Sequence, residues 1–102
     1  MAYKITFTFT KKETMKYISH LDLMRTFCRA LRRAGLPIKN SEGFNPHPKL
    51  SIKRALKLGL ESENEEAAIA LIDFIEPEDF KQRLAKQLPK GIEIKDAKRD
   101  FN

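Results

Sequence analysis

The sequence is poor in the residues that build disulfides, membrane spans and cofactor sites. Its 102 residues include one cysteine, which excludes an internal disulfide. No apolar run approaches the roughly eighteen residues of a membrane-spanning helix. The first residues, Met1 to Lys4, lack the charged and apolar regions of a signal peptide. The sequence therefore predicts a cytoplasmic protein without a membrane segment.

Motifs for metals and nucleotides are also missing. There is no CxxxCxxC cluster motif and no glycine-rich phosphate loop. His20 and Asp22 are two residues apart and do not share a helix face, and Cys28 is expected to lie inside as a small buried hydrophobe. We therefore predict no metal site and no cofactor, so that any cofactor would belong to a partner.

The charge balance is basic, with twenty Lys and Arg against fourteen Asp and Glu and a formal net charge of +6. Such a surface favours an anionic partner, and nucleic acid is the first candidate. A chain of this length with 41% apolar residues suits one domain, residues 1–102, with a single core.

One amphipathic helix is predicted after Ser19, whose hydroxyl can cap the first turn, with Asp22 where the helix dipole favours negative charge. It should end at Gly35, and Pro37 prevents its continuation. The predicted apolar stripe comprises Leu21, Met24, Phe27, Cys28, Leu31 and Ala34. On the opposite side we expect a basic ridge of Arg25, Arg29, Arg32 and Arg33.

Residues 41–49, here called the proline loop, follow this helix. Pro46 and Pro48 restrict the residues before them to extended backbone, and Gly43 allows angles that other residues avoid. We expect a rigid loop, and such a loop can be either a tight connection or a ligand site. Phe44 is more readily explained as a core plug beneath the loop than as an exposed stacking surface.

The chain resembles a known family through three runs in order, YISHLDLMR (17–25), RALRRAGLP (29–37) and SEGFNPHPKL (41–50). They are similar to the radical-SAM-linked bacterial domain family of unknown function. The resemblance implies a protein encoded beside, or fused to, a cobalamin-binding radical SAM protein, often near genes for ribosomal proteins and an RNA-processing ribonuclease. Members extend well beyond this length, so residues 1–102 can be the N-terminal part of a longer protein. Residues 52–59 are more basic than the family pattern.

The predicted element order is strand, helix, strand, strand, helix, strand. The first strand alternates over residues 3–10, the second over residues 50–58, and residues 65–75 read as a third strand although their composition also suits a helix. A second helix begins after Glu76 and runs to about Leu88, residues 92–95 form the last strand, and residues 96–102 a frayed tail. This order predicts an α+β, ferredoxin-like βαββαβ sandwich with an antiparallel four-stranded sheet and both helices on one face.

Three functions remain open. The first is a non-catalytic accessory domain that binds ribosomal or transfer RNA for a radical SAM protein. The second is a protein-interaction module that docks on that partner, and the third a metal-independent ribonuclease using His20 and His47. Each histidine is more readily explained as a hydrogen-bonding element, and the open sheet face, with Thr6, Thr8, Lys53 and Lys57, lacks the aromatics of RNA-recognition sheets. The candidate binding residues are Arg25, Arg29, Arg32, Arg33, Ser41, Gly43, Phe44, Asn45, His47, Lys49 and Lys53.

Overall fold

The computed structural model describes residues 3–54 and 59–100. Its strands are β1 (Tyr3–Lys11), β2 (Leu50–Ile52), β3 (Ser62–Leu71) and β4 (Ile94–Arg99), and its helices are α1 (His20–Arg33) and α2 (Pro77–Ala85), with a 3₁₀ helix at Glu13–Tyr17. Among these residues no helix combines the length and the apolar character that a membrane crossing requires.

The strands form one open antiparallel sheet in the order β2-β3-β1-β4. Each βαβ half contributes one central and one edge strand, and both helices bury their apolar sides in the same core. The predicted ferredoxin-like α+β fold is therefore confirmed.

Aromatic packing on the inner face of β1 holds this core together. Alternation along β1 places Ile5, Phe7 and Phe9 against the helices, and all three are buried. Phe27 of α1 approaches Phe9 with ring centroids 4.9 Å apart, and Phe80 of α2 approaches Phe7 at 5.6 Å. Each helix is thus fixed to the central strand through an aromatic pair, a contact that adds about 0.5–1.5 kcal/mol beyond area burial.

Helix α1 begins as predicted, since the Ser19 hydroxyl accepts a hydrogen bond from the Asp22 amide at 3.1 Å. Its last residue is Arg33, and Gly35, two residues further on, has the left-handed φ of +67° that stops the helix as predicted. The predicted apolar stripe is partly wrong, because Leu21 is 59% exposed and the buried positions are Leu23, Phe27, Ala30 and Leu31. Leu23 and Ala30 lie between the predicted positions, so the buried stripe is rotated around the helix.

The second and third strands differ from their predicted bounds. β2 ends at Ile52, so the predicted strand is too long: Lys53 and Arg54 already lie beyond it, and residues 55–58, with Lys57, lie outside the described residues. Arg54 follows β2 and reaches back to Glu65 of β3, so its place in the apolar alternation reflects the strand end. β3 begins at Ser62 and ends at Leu71, which confirms a strand here but shifts it towards the N-terminus of the chain.

The C-terminal elements also require correction. Helix α2 ends at Ala85, before the predicted Leu88. The last strand is Ile94–Arg99 rather than residues 92–95, so the predicted frayed tail is wrong over residues 96–99, and residues 101–102 lie outside the described part of the chain. Pairing with β1 explains the difference, because Asp96 lies opposite Thr8 and the Asp100 amide donates to the Lys4 carbonyl at 2.9 Å. A polar sequence can form this strand because it lies at the sheet edge with one face in solvent.

The C-terminus of α1 is held by a residue of α2. Arg83 donates from one terminal nitrogen to the carbonyls of Ala34 at 2.9 Å and Gly35 at 2.8 Å. The last carbonyls of a helix lack hydrogen-bond partners within the helix and form the negative end of its dipole. A guanidinium there both donates hydrogen bonds to these carbonyls and places positive charge beside the negative end. Arg83 therefore fixes the point where the chain leaves α1 for the proline loop.

We expect Arg83→Ala to lower the free energy of unfolding by about 1–2 kcal/mol, because two charge-assisted bonds are lost from a side chain that is only partly exposed. Urea denaturation monitored by circular dichroism measures the change. Lys86→Ala removes an exposed cation at the end of the same helix and should shift stability by less than about 0.5 kcal/mol. Equal losses in the two variants would show that Arg83 is not a clamp.

Candidate nucleic-acid interface

The arginine ridge, defined as Arg25, Arg29, Arg32 and Arg33, lies on the solvent side of α1. All four side chains are exposed. Arg25 approaches Asp22 at 3.6 Å, but both groups are more than half exposed, so this pair is weak. In the described parts of the chain, Arg29, Arg32 and Arg33 have no carboxylate within ion-pair distance. Three guanidinium groups are therefore available to an outside anion.

The helix sets the spacing of these charges. At a rise of about 1.5 Å per residue, the ridge from Arg25 to Arg33 extends about 12 Å along the axis of α1. Arg25, Arg29 and Arg32 follow steps of four and three residues, which keep them on one stripe. The result is a convex row of positive charge suited to an extended polyanion.

The proline loop is a hairpin tip built on the sheet. The Lys39 backbone amide donates to the Ala70 carbonyl of β3 at 2.9 Å, and the Lys49 backbone amide donates to the Lys39 carbonyl at 2.9 Å. Further out, Asn40 and Pro48 form an isolated bridge, and Ser41 donates from its amide to the His47 carbonyl at 2.7 Å. These successive bonds define the path of the backbone on both sides of residues 42–46.

His47 braces this tip, as the sequence predicted. Its amide donates to the Ser41 hydroxyl at 3.2 Å, and its Nδ1 lies 3.1 Å from the Asn45 carbonyl oxygen and 3.2 Å from the Ser41 hydroxyl. A carbonyl oxygen can only accept, so Nδ1 is the donor in the contact with Asn45. The imidazole thus closes a turn over Asn45 and Pro46 while its outer edge remains in solvent.

Phe44 occupies the tip and is fully exposed, with a relative accessibility of 103%. The core-plug interpretation is therefore wrong; the ring is exposed, and its use as a stacking surface stays a prediction. The buried residues of this segment are instead Pro48 and Leu50, at the base of the hairpin. Gly43, with a φ of +117°, precedes Phe44 and turns the chain outwards.

The ridge and the proline loop are neighbours. A terminal nitrogen of Arg32 lies 3.5 Å from the Pro46 carbonyl oxygen, the outer limit of a hydrogen bond. This contact brings residues 14 positions apart in sequence to the same side of the molecule. Positive charge and the exposed aromatic ring therefore share one surface.

Lys53 does not join this surface. It follows β2 on the sheet face away from the helices and approaches Glu66 at 3.3 Å. Lys49 lies four residues before Lys53, so strand alternation places it on the same open face of the sheet. The central positions of that face are Thr6, Thr8 and Ala68. The lysines that are close in sequence to the loop are thus separated from the arginine ridge by the sheet.

His20 stands in a different environment from His47. It is the first residue of α1, and its Nδ1 is buried without a hydrogen-bond partner among the described residues, so the predicted hydrogen bond is not made. Burial raises the pKa of the Cys28 thiol, which disfavours its reactive thiolate form. No group of three or more His, Cys, Asp or Glu within residues 3–54 and 59–100 is arranged to hold a metal ion.

Sequence reasoning missed a buried polar cluster at the other end of the sheet. Glu65 is 2% exposed and accepts two bonds from Arg54, at 2.8 Å and 2.7 Å, and one from the Ser62 hydroxyl. The Arg54 guanidinium holds the pKa of this carboxyl below its usual range. Lys11 is also buried, and burial lowers the pKa of its ammonium, an effect that Glu65 partly offsets. The one feature of the sequence that could have indicated this cluster is Arg54, which interrupts the apolar side of the predicted second strand.

Taken together, the sheet order and the two helices on one face define a ferredoxin-like α+β domain with an exposed basic helix. The chain belongs to a bacterial family described as an uncharacterized protein conserved in bacteria (DUF2344), whose model matches residues 4–100. No curated protein and no solved structure matches the chain at a significant level.

Proposed function

We propose that this domain is a non-catalytic, RNA-binding module that holds RNA against the arginine ridge and the proline loop. The observation that carries the proposal is the set Arg29, Arg32 and Arg33, three exposed guanidinium groups without carboxylate partners in the described chain, beside a hydrogen-bonded loop. Arginines that already form ion pairs would have to break them before binding phosphate. These three have no such cost.

The chemistry of guanidinium supports RNA as the anion. Its planar fork donates to two phosphate oxygens at once, and each phosphate neutralised releases condensed counterions. The ridge is convex, and the open sheet face carries no aromatic side chain among the described residues, so contacts to phosphates rather than to base edges would supply most of the affinity. Binding of this kind tolerates many sequences and weakens steeply with salt.

The likeness to the radical-SAM-linked family extends the proposal to a partner. It supports ribosomal or transfer RNA in the cytoplasm as the ligand and a radical SAM protein as the enzyme that the domain serves. In this arrangement the cofactor and the reaction belong to the partner, and the domain supplies position. Co-purification of RNA with the joint complex, but not with the partner alone, is the expected observation.

A protein-interaction module is the second candidate. It is favoured by apolar side chains exposed on and near α1, namely Tyr17 at 63%, Leu21 at 59% and Phe44. Docking through these residues would bury apolar area and withstand high salt, whereas binding through the ridge would not. Pull-down of the radical SAM partner at about 1 M salt distinguishes the two, because charges are then screened beyond roughly 3 Å.

We expect the triple variant Arg29→Gln, Arg32→Gln, Arg33→Gln to bind bulk transfer RNA about 100-fold more weakly at 0.1 M salt. For flexible strands, each lost phosphate contact reduces the slope of log K against log salt by about 0.7. The slope should therefore fall by about 2. Fluorescence anisotropy with labelled RNA over a salt series measures both quantities.

The matched control replaces three exposed lysines elsewhere, Lys86→Gln, Lys90→Gln and Lys95→Gln, which lowers the net charge by the same amount. Its slope and affinity should stay close to those of the native protein. Equal losses in both triple variants would mean that net charge alone attracts RNA. Absence of binding by the native protein at low salt would remove the proposal.

A further inference from the structure

The most unusual side chain of the described surface is Phe44. An exposed apolar residue is ordinary on a protein surface, but a whole aromatic ring without contact on either face is not. Here the ring sits at the tip of a hairpin whose base is buried, so it projects away from the domain. Both faces of the ring are open to a flat partner.

The loop that carries the ring is held by hydrogen bonds between its two sides. The Ser41–His47 backbone bond, the His47 amide bond to the Ser41 hydroxyl and the Nδ1 bond to the Asn45 carbonyl surround the tip. Pro46 and Pro48 fix two further backbone angles. An anchor on such a loop loses little conformational entropy on binding, a property of efficient recognition residues.

The neighbours of Phe44 match a nucleotide. The Arg32 contact with the Pro46 carbonyl places a guanidinium beside the loop, where it can reach a phosphate. Asn45 is exposed, and its side-chain amide offers both a donor and an acceptor. His47 is exposed as well, and its Nε2 makes no hydrogen bond to the residues that the structure describes. An aromatic face, a cation and polar edges are the groups that hold an unstacked base.

We infer that Phe44 stacks on an unpaired base, so that the ligand of this surface is single-stranded RNA, such as a loop or an end, rather than duplex. The inference rests on the proposed RNA-binding function. It adds to the ridge an element that only a splayed nucleotide can use, because the base faces inside a duplex are already stacked. The ridge would supply affinity and Phe44 the preference for strand form.

The absence of tryptophan from the chain allows a direct test. Phe44→Trp introduces a single indole, whose emission should be strongly quenched when single-stranded RNA binds, because a base stacks on it. Phe74→Trp is the matched control, since Phe74 is a partly exposed aromatic that lies against Arg99 of β4. Its emission should change little.

Affinity gives the second readout. Phe44→Ala should weaken binding of a single-stranded oligonucleotide by roughly 5- to 100-fold, the range of one base–aromatic stack, and leave the salt slope unchanged. Binding to a long duplex of the same sequence should be unaffected. Phe44→Trp should retain the native affinity for the single strand.

The possible outcomes distinguish failure of the stacking inference from failure of the proposed RNA-binding function. If the native protein binds RNA, the arginine variant loses affinity and Phe44→Ala does not, the stacking inference is overturned while RNA binding stands. Equal losses for single strand and duplex in Phe44→Ala would overturn it as well. If the native protein binds neither form, both proposals fall together.

Discussion

Gly91→Ala is expected to destabilise the domain by about 3–5 kcal/mol, a large part of the total stability of a chain this size. Gly91 has a φ of +101°, which L side chains rarely adopt. A β-carbon there would lie 2.4 Å from the Lys12 carbonyl oxygen and 3.0 Å from Cγ of Met15. Because the first of these atoms is backbone, the clash cannot be relieved by a side-chain rotation.

The backbone near Gly91 cannot move away cheaply. Its carbonyl accepts from the Lys12 amide at 2.9 Å and from the Thr10 hydroxyl at 3.1 Å, bonds that join the end of β1 to the segment before β4. Displacing this segment would break contacts that keep the two strands together. We therefore expect the penalty to appear mainly as faster unfolding or as loss of the native fold.

Urea denaturation measures the effect, and Gly59→Ala is the matched control. Gly59 also has a positive φ, of +85°, but a β-carbon there meets no atom of the described residues within 4 Å. The control therefore retains the backbone strain, about 1–2 kcal/mol, without the clash. If Gly91→Ala costs no more than Gly59→Ala, close packing against Lys12 does not explain the need for glycine.

The sequence predicts the fold correctly for those elements that bury one face in the core and leave the other in solvent. Apolar and polar residues alternate along β1 because its inner residues contact both helices. The start of α1 is predicted by the capping residue Ser19 and its end by Gly35. β4 was misplaced because most of its residues are charged, and only Ile94 and Ala97 are even partly covered. The partner strand, not the local pattern, decides whether such an edge segment is extended.

The candidate site was readable in part. Charged residues on the solvent side of a helix follow from its period, so the four arginines were found from sequence. The exposure of Phe44 was not, because an apolar ring is by default a core residue and only the hairpin geometry places it outside. The positions of Lys49 and Lys53 depend on which face of the sheet they occupy. β2 has only three residues, so its alternation is too short to predict that face from the sequence.

The buried polar cluster was the least readable part, because a charged residue in a strand is ordinarily assigned to solvent. Glu65 lies opposite Phe9, at an inward position of β3, and is tolerated there because Arg54 returns from the end of β2 to meet it. The register of β1 and β3 shifts between Phe9 and Lys11, which places Lys11 inside near the same carboxylate. Glu65 faces both Arg54 and Lys11, so removal of its charge would leave two cations without this carboxylate.

Glu65→Gln should therefore destabilise the protein by about 2–3 kcal/mol at pH 7. The amide keeps the shape of the side chain but removes the negative charge that Arg54 contacts and that partly compensates the buried Lys11 ammonium. The adjacent variant Glu66→Gln is the matched control. Glu66 is exposed and pairs with Lys53 at the surface, so its loss should change stability by no more than about 0.5–1 kcal/mol.

The penalty should also depend on pH in one direction. The folded pKa of Glu65 lies below its ordinary value of 4.5, so its stabilising contribution is complete above that value and is lost as the pH falls through the folded pKa. The glutamine variant has no such group, and the gap between native protein and Glu65→Gln should close on acidification. Urea denaturation from pH 7 to pH 3 measures it. A gap that stays constant over this range would mean that the amide acts through packing, and that the Glu65 charge does not hold the cluster.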